Sequence, residues 1–265
     1  MQKTKAYKVL SYLWGKFGVY PVAALVIFIG IGILNIIPFT TYYLDNDTYS
    51  FIYILSAIAS TLVRLLDAYA LAIVIGITLS LIIHKSYTAE KMLLPFFEII
   101  QSIPALALFP VLVILFLDRG NINNAVILIL FLSMLWSIIF NLINGLKSIP
   151  RDINYVSQVF KLKGYKYYTE IIFPAMIPYV AVGSFLAWAQ GWNIVILAEV
   201  LHIFVPNGAV AEDVFGIGSV LINSISNGQT GLFITGLALL VLVIGLINLF
   251  IWQKFLTYSE RFKFK

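Results

Sequence analysis

The sequence predicts an all-α integral membrane protein with six transmembrane helices, and three observations carry that prediction. Of 265 residues, 61% are hydrophobic and only 11% charged, with a mean hydropathy of +0.98. A soluble domain has about 25% charged and 45–50% apolar residues. Six stretches are apolar for close to the roughly 20 residues a helix needs to cross hydrocarbon. The basic residues lie almost entirely on one side of those stretches. Cysteine is absent, which excludes disulfides, thiolate metal sites and cysteine nucleophiles. With only His84 and His202, a histidine-built metal cluster is not expected either.

The whole chain, 1–265, reads as one transmembrane domain, with spans expected at 19–39, 60–83, 97–117, 123–146, 176–199 and 230–254. The first carries no charge and follows Lys3, Lys5, Lys8 and Lys16. It is long and lacks a small-residue cleavage site after it, so it reads as a retained span rather than a signal peptide. The second holds Arg64 and Asp67, three residues apart on one helix face, where they can pair. Snorkelling of a span end is the plainer account of these charges, and an anion-attracting or gating role for Arg64 stays open. Pro104 and Pro110 lie in the third span, and each removes a helix hydrogen bond. Kinks tolerated by packing and a hinge beside a pathway fit them equally. In the fifth span, Trp188, Gln190, Trp192 and Asn193 cluster towards Glu199. Polar groups in hydrocarbon face a bundle interior or a water-filled path, so Asn193 with Ser102 is either solute-binding or helix–helix glue.

Between spans four and five lies the one long polar interval, 147–175, which carries Lys147, Arg151, Lys161, Lys163 and Lys166. Val156, Val159 and Phe160 recur at helical spacing, and Tyr168, Ile171 and Ile172 begin a second apolar stripe. Gly164 between them supplies a turn. A helix, a turn and a second helix running into Pro174 make either a docking knob or a solvated loop. The basic residues number four at the N-terminus, two after the second span, five in the knob and four at the C-terminus, fifteen of seventeen on one face. The positive-inside rule then places both termini and the knob in the cytoplasm of a multi-pass cell-membrane protein. No phosphate-binding loop is present, so nucleotide energy would have to come from another chain.

These residues resemble the permease subunit of ATP-binding-cassette importers of the six-span type I. The resemblance runs from about Thr61 to the end and is carried by QSIPALALFP at 101–110, FPAMIP at 173–178, WNIVILAE at 192–199, and Trp252 with YSERF at 258–262. The nitrate, sulfonate and taurine branch is the most similar, especially one half of its duplicated anion permeases. The family signature of Glu-Ala-Ala, then Gly, then Leu-Pro is degenerate here. A gapless register sets Tyr155, Val156 and Ser157 at the triplet and Lys161 at the glycine, and keeps Pro174 and Pro178 in place. A register on Gly164 would need a three-residue deletion.

The resemblance implies a coupling segment for a cytoplasmic ATPase dimer, made of Tyr155, Val156, Ser157, Val159, Phe160, Lys161, Lys163, Gly164, Pro174 and Pro178. It implies a translocation pathway through Arg64, Ser102, Pro104, Trp188, Gln190, Trp192, Asn193 and Glu199. The chain would bind no cofactor, ATP and Mg being held by the partner ATPase. A second permease copy or paralogue, an extracytoplasmic solute-binding protein and membrane lipid complete the expected partners, with no nucleic acid among them. The chain would thus be a transport subunit rather than an enzyme, importing a small anion by alternating access. An ATP-independent carrier or channel is the alternative. An intramembrane serine protease ranks below both, because both histidines lie outside the spans and a nucleophile there would lack a base.

Overall fold

The computed structural model describes residues 51–117, 122–162, 164–201 and 213–263. The span expected at 19–39 and the four N-terminal lysines lie outside the described residues. Every regular element among the described residues is helical: α1 (Phe51–Lys85), α2 (Tyr87–Gln101), α3 (Ala105–Leu117), α4 (Ile122–Lys147), α5 (Arg151–Val159), α6 (Tyr165–Ala198), α7 (Ile217–Ser226) and α8 (Thr230–Phe262). Helices α1, α4, α6 and α8 are each long and apolar enough to cross a membrane. Among the described residues, the larger compact unit holds those within 56–220 and 255–263, and the other holds 51–55 and 221–254.

The stretch expected as the third span, 97–117, is broken rather than straight. Helix α2 starts ten residues earlier, at Tyr87, where the Ser86 hydroxyl accepts from the Ala89 N–H at 3.3 Å. It ends at Gln101, and α3 departs at 86° after the Ser102–Pro104 step. The Ser102 and Ile103 amides turn back onto Ile99 and Ile100, tightening the last turn. Pro104 has no N–H to continue the ladder, and its ring disfavours helical geometry at Ile103. Pro95 and Pro110 stay inside their helices.

Helices α4 and α6 form the principal packing pair of the larger unit. Helix α4 buries Ile129, Leu130, Met134, Ile138, Ile139 and Leu142 completely. Gly183 on α6 lets the two backbones approach; a Cβ there would lie 3.2 Å from the Ser137 carbonyl and 3.3 Å from the Ile138 Cα. Near its start α6 widens into a π turn at Tyr168–Ile172, where the Phe173 N–H reaches back to the Tyr168 carbonyl. That turn directly precedes Pro174, which cannot bond to the carbonyl four residues back. Large apolar side chains such as Val63, Val74 and Leu66 point outward from α1, as suits helices whose solvent is hydrocarbon.

Candidate functional site

The larger unit contains a knot of buried polar groups where α1, α4 and the end of α6 meet residues 215–218. Arg64 and Glu199, 135 positions apart, form a buried ion pair, with 7% and 0% of their surfaces exposed. Each remaining polar atom finds a partner, as burial demands. The Arg64 Nε donates to Asn123 Oδ1 at 2.6 Å and another guanidinium N–H donates to the Phe215 carbonyl. The Thr61 hydroxyl donates to Glu199 Oε1 at 2.7 Å and accepts from the Ile217 N–H at 3.0 Å. The Gly218 N–H donates to the other carboxylate oxygen at 2.7 Å. Glu199 therefore caps the N-terminus of α7 from a distance, matching an anion to the positive end of that helix. The Val214 N–H bonds to the Glu199 carbonyl at 3.1 Å, and the Leu201 N–H bonds to Asp213 Oδ1 at 2.8 Å. Gly218 is required by close approach: a Cβ there would meet the Ile196 carbonyl oxygen at 2.5 Å.

The pairing of Arg64 with Asp67 that their spacing allows does not form. Asp67 is exposed, and Arg64 turns the other way into the knot. A guanidinium held between a carboxylate, an amide and a carbonyl gains more than it would from one neighbour on its own helix. Snorkelling is replaced in the same way, because the side chain ends inside protein and not at a water surface.

A cavity of about 550 Å³, walled more by apolar than by polar side chains, opens at the α2–α3 break, between that break, α4 and α6. Its walls include Pro104 and the start of α3, Trp136 and Ser137 of α4, and Gln190 of α6. Among the described residues, the walls carry no ionisable group. Of the eight expected pathway residues, the cavity walls thus include Pro104 and Gln190. Arg64 and Glu199 lie together in the knot. Ser102 and Asn193 are exposed and outside the cavity walls, the Ser102 hydroxyl donating to the Glu98 carbonyl at 2.7 Å. Trp188 is buried with its ring 5.9 Å from Tyr69 and 6.3 Å from Trp192, and the Tyr69 hydroxyl donates to Ser184 at 2.7 Å.

In the polar interval, α5 is followed by a turn in which both Lys161 (φ 52°) and Gly164 (φ 57°) are left-handed, and α6 then begins. Tyr155, Val159 and Phe160 are 63%, 78% and 72% exposed, an apolar face that no described residue covers. Ser157 points inward and is buried. Lys161 and Gly164 are exposed, Pro178 is buried and Pro174 half-buried. Val156 lies in α5; Lys163 lies outside the described residues.

Thr61, Asn123 and Gly218 escaped the sequence reading. Their signal was indirect: a Glu at the end of an apolar span needs donors, and nothing in the sequence says which distant residues provide them.

Residues 72–257 match the family described as the binding-protein-dependent transport system inner membrane component. The chain is 32% identical over 183 residues to the nitrate import permease protein NrtB of Leptolyngbya laminosa, covering 68% of this chain and 64% of that one. It is 25% identical over 202 residues to the bicarbonate transport system permease protein CmpB of Synechococcus elongatus, covering 76% of this chain and 66% of that one. This chain therefore spans just under two thirds of the length of those relatives. Together with the long apolar helices, these matches make it a multi-pass membrane protein. Since the family match covers well over half of the sequence, the chain belongs to the binding-protein-dependent transport system inner membrane components.

Proposed function

We propose that this chain is the membrane-spanning permease subunit of an ATP-driven importer for a small anion. The match of residues 72–257 to the inner membrane components of binding-protein-dependent systems carries this reading. The substrate class follows from relatives whose names specify nitrate and bicarbonate. Six spans place both termini and the 147–175 segment in the cytoplasm, in keeping with the fifteen basic residues on that face. Two ATPases, bringing ATP and Mg, dock on these segments in a pore of two permease chains, and a binding protein delivers solute from outside. Closure of the ATPase pair draws the two segments together and switches the pathway between its outward-facing and inward-facing states; packed interfaces transmit such motion because they have discrete arrangements.

The open face of Tyr155, Val159 and Phe160 supports α5 as the docking helix. Lys161 supports the gapless register, because it adopts the left-handed backbone that favours the glycine usual at that place. Of the proposed coupling residues, Ser157 acts from inside the segment, holding α5 in place.

The test is affinity purification of the chain expressed with its chromosomal neighbours, run in parallel on Phe160→Asp. A soluble ATPase should copurify with the parent and be lost from the variant, which puts a charge on a 72% exposed apolar side chain. If no ATPase appears and the chain alone moves solute in liposomes, an ATP-independent carrier takes its place.

A further inference from the structure

We propose that the cavity at the α2–α3 break binds one small monovalent oxoanion using neutral hydrogen-bond donors alone, and that it excludes divalent anions. The inference rests on the importer reading above and adds to it where the anion is held and how its charge is discriminated.

The broken span is the starting point. Non-helical backbone at membrane depth is tolerated where it lines a cavity, and half-helices in membranes recur where solutes are held. Here the break opens onto a space of about 550 Å³. Beside Phe140 and Ile194, its far walls include three residues that carry donors: the Trp136 indole N–H, the Ser137 hydroxyl and the Gln190 carboxamide. Gln190 is exposed and Ser137 half-buried, so both can turn towards a guest. Ser133 is a poorer donor, because its hydroxyl already donates to the Leu130 carbonyl at 2.7 Å. The break brings both the positive end of α3 and the negative end of α2 to the cavity, so the side-chain donors carry the binding.

The charge of the guest follows from what the walls lack. Among the described residues they hold no Lys, Arg or His, and the nearby knot has already matched the Arg64 charge to Glu199. Among the described residues, an anion entering the cavity meets dipoles only. The Born cost of leaving water grows with the square of the charge, so a divalent anion meets roughly four times the penalty of a monovalent one. Water occupies roughly 30 Å³ per molecule, so a four-atom oxoanion fits with part of its hydration shell, which lowers the monovalent cost further. Neutral donors thus set a charge limit that a lysine or arginine in the same place would remove.

The test is isothermal titration of the full chain in lipid nanodiscs with sodium nitrate and with sodium sulfate at matched ionic strength. Saturable nitrate binding is expected, with sulfate at least about tenfold weaker. Gln190→Leu and Trp136→Phe should each raise the half-saturating nitrate concentration about tenfold, the scale of one hydrogen bond to a charged group. Trp136→Phe keeps an aromatic ring beside Phe97, whose centroid lies 5.7 Å from that of Trp136. Gln190→Arg should admit sulfate. The proposal is overturned if nitrate shows no saturable binding, if sulfate binds the parent as tightly, or if Gln190→Leu and Trp136→Phe bind nitrate like the parent. An ATPase that copurifies with a chain unable to bind nitrate would leave the importer reading intact and remove this one. Nitrate binding without any ATPase would do the reverse.

Discussion

The knot around Glu199 and the cavity at the α2–α3 break both gather polar groups within one unit of a hydrophobic protein, and they differ in how their hydrogen-bonding capacity is used. In the knot, the Arg64 and Glu199 charges cancel, and Thr61, Asn123, the Phe215 carbonyl and two backbone amides take up what remains. In the cavity, neutral donors line a space with room for a guest. A closed set of partners fixes structure, since displacing any one of them strands a buried charge. An open set costs little to hold and has capacity left for a ligand. The contrast is between polar groups whose capacity is used up within the fold and polar groups that keep some of it open.

The largest effect should come from breaking the knot on one side only. Arg64→Met leaves the Glu199 carboxylate buried without its counter-charge, which should cost about 3–5 kcal/mol in thermal unfolding of the detergent-solubilised chain. The double variant Arg64→Met/Glu199→Gln should recover more than half of that loss, because two neutral groups no longer need each other. Equal losses in the single and double variants would mean that the knot is not a matched pair, and the contrast would collapse.

A smaller effect is expected from Gly218→Ala. The new methyl carbon would sit 2.5 Å from the Ile196 carbonyl oxygen, so the start of α7 must lift away from the Glu199 carboxylate. A loss of about 1–3 kcal/mol in the same unfolding assay would match overpacking against rigid backbone. The smallest effect sharpens the other side of the comparison. Gln190→Leu should leave unfolding within about 0.5 kcal/mol of the parent, as for an exposed side chain outside any network. A loss comparable to that of Gly218→Ala would make the cavity wall a structural element as well.

Much of the architecture was legible before any coordinates. Composition and apolar runs identified a membrane protein, and among the described residues α1, α4, α6 and α8 are long and apolar enough to cross a membrane. Gly164 was legible as a turn residue because a left-handed backbone favours glycine over every other residue. The break at Pro104 was half legible. A proline announces a lost hydrogen bond, but Pro95 and Pro110 show that the loss alone does not end a helix. The partner of Arg64 was not legible: spacing along one helix is visible in a sequence and allowed Asp67 or snorkelling, whereas a partner 135 residues away is not visible.

By itself, the sequence determined that this chain is a membrane protein and where its backbone is restricted, since both follow from local chemistry: the transfer cost of each side chain and the backbone limits of proline and glycine. Only the tertiary structure decided which polar residues neutralise one another and which are left facing a cavity. That division depends on distances between segments far apart in the chain, and a buried charge is satisfied by whatever the fold brings within hydrogen-bonding reach.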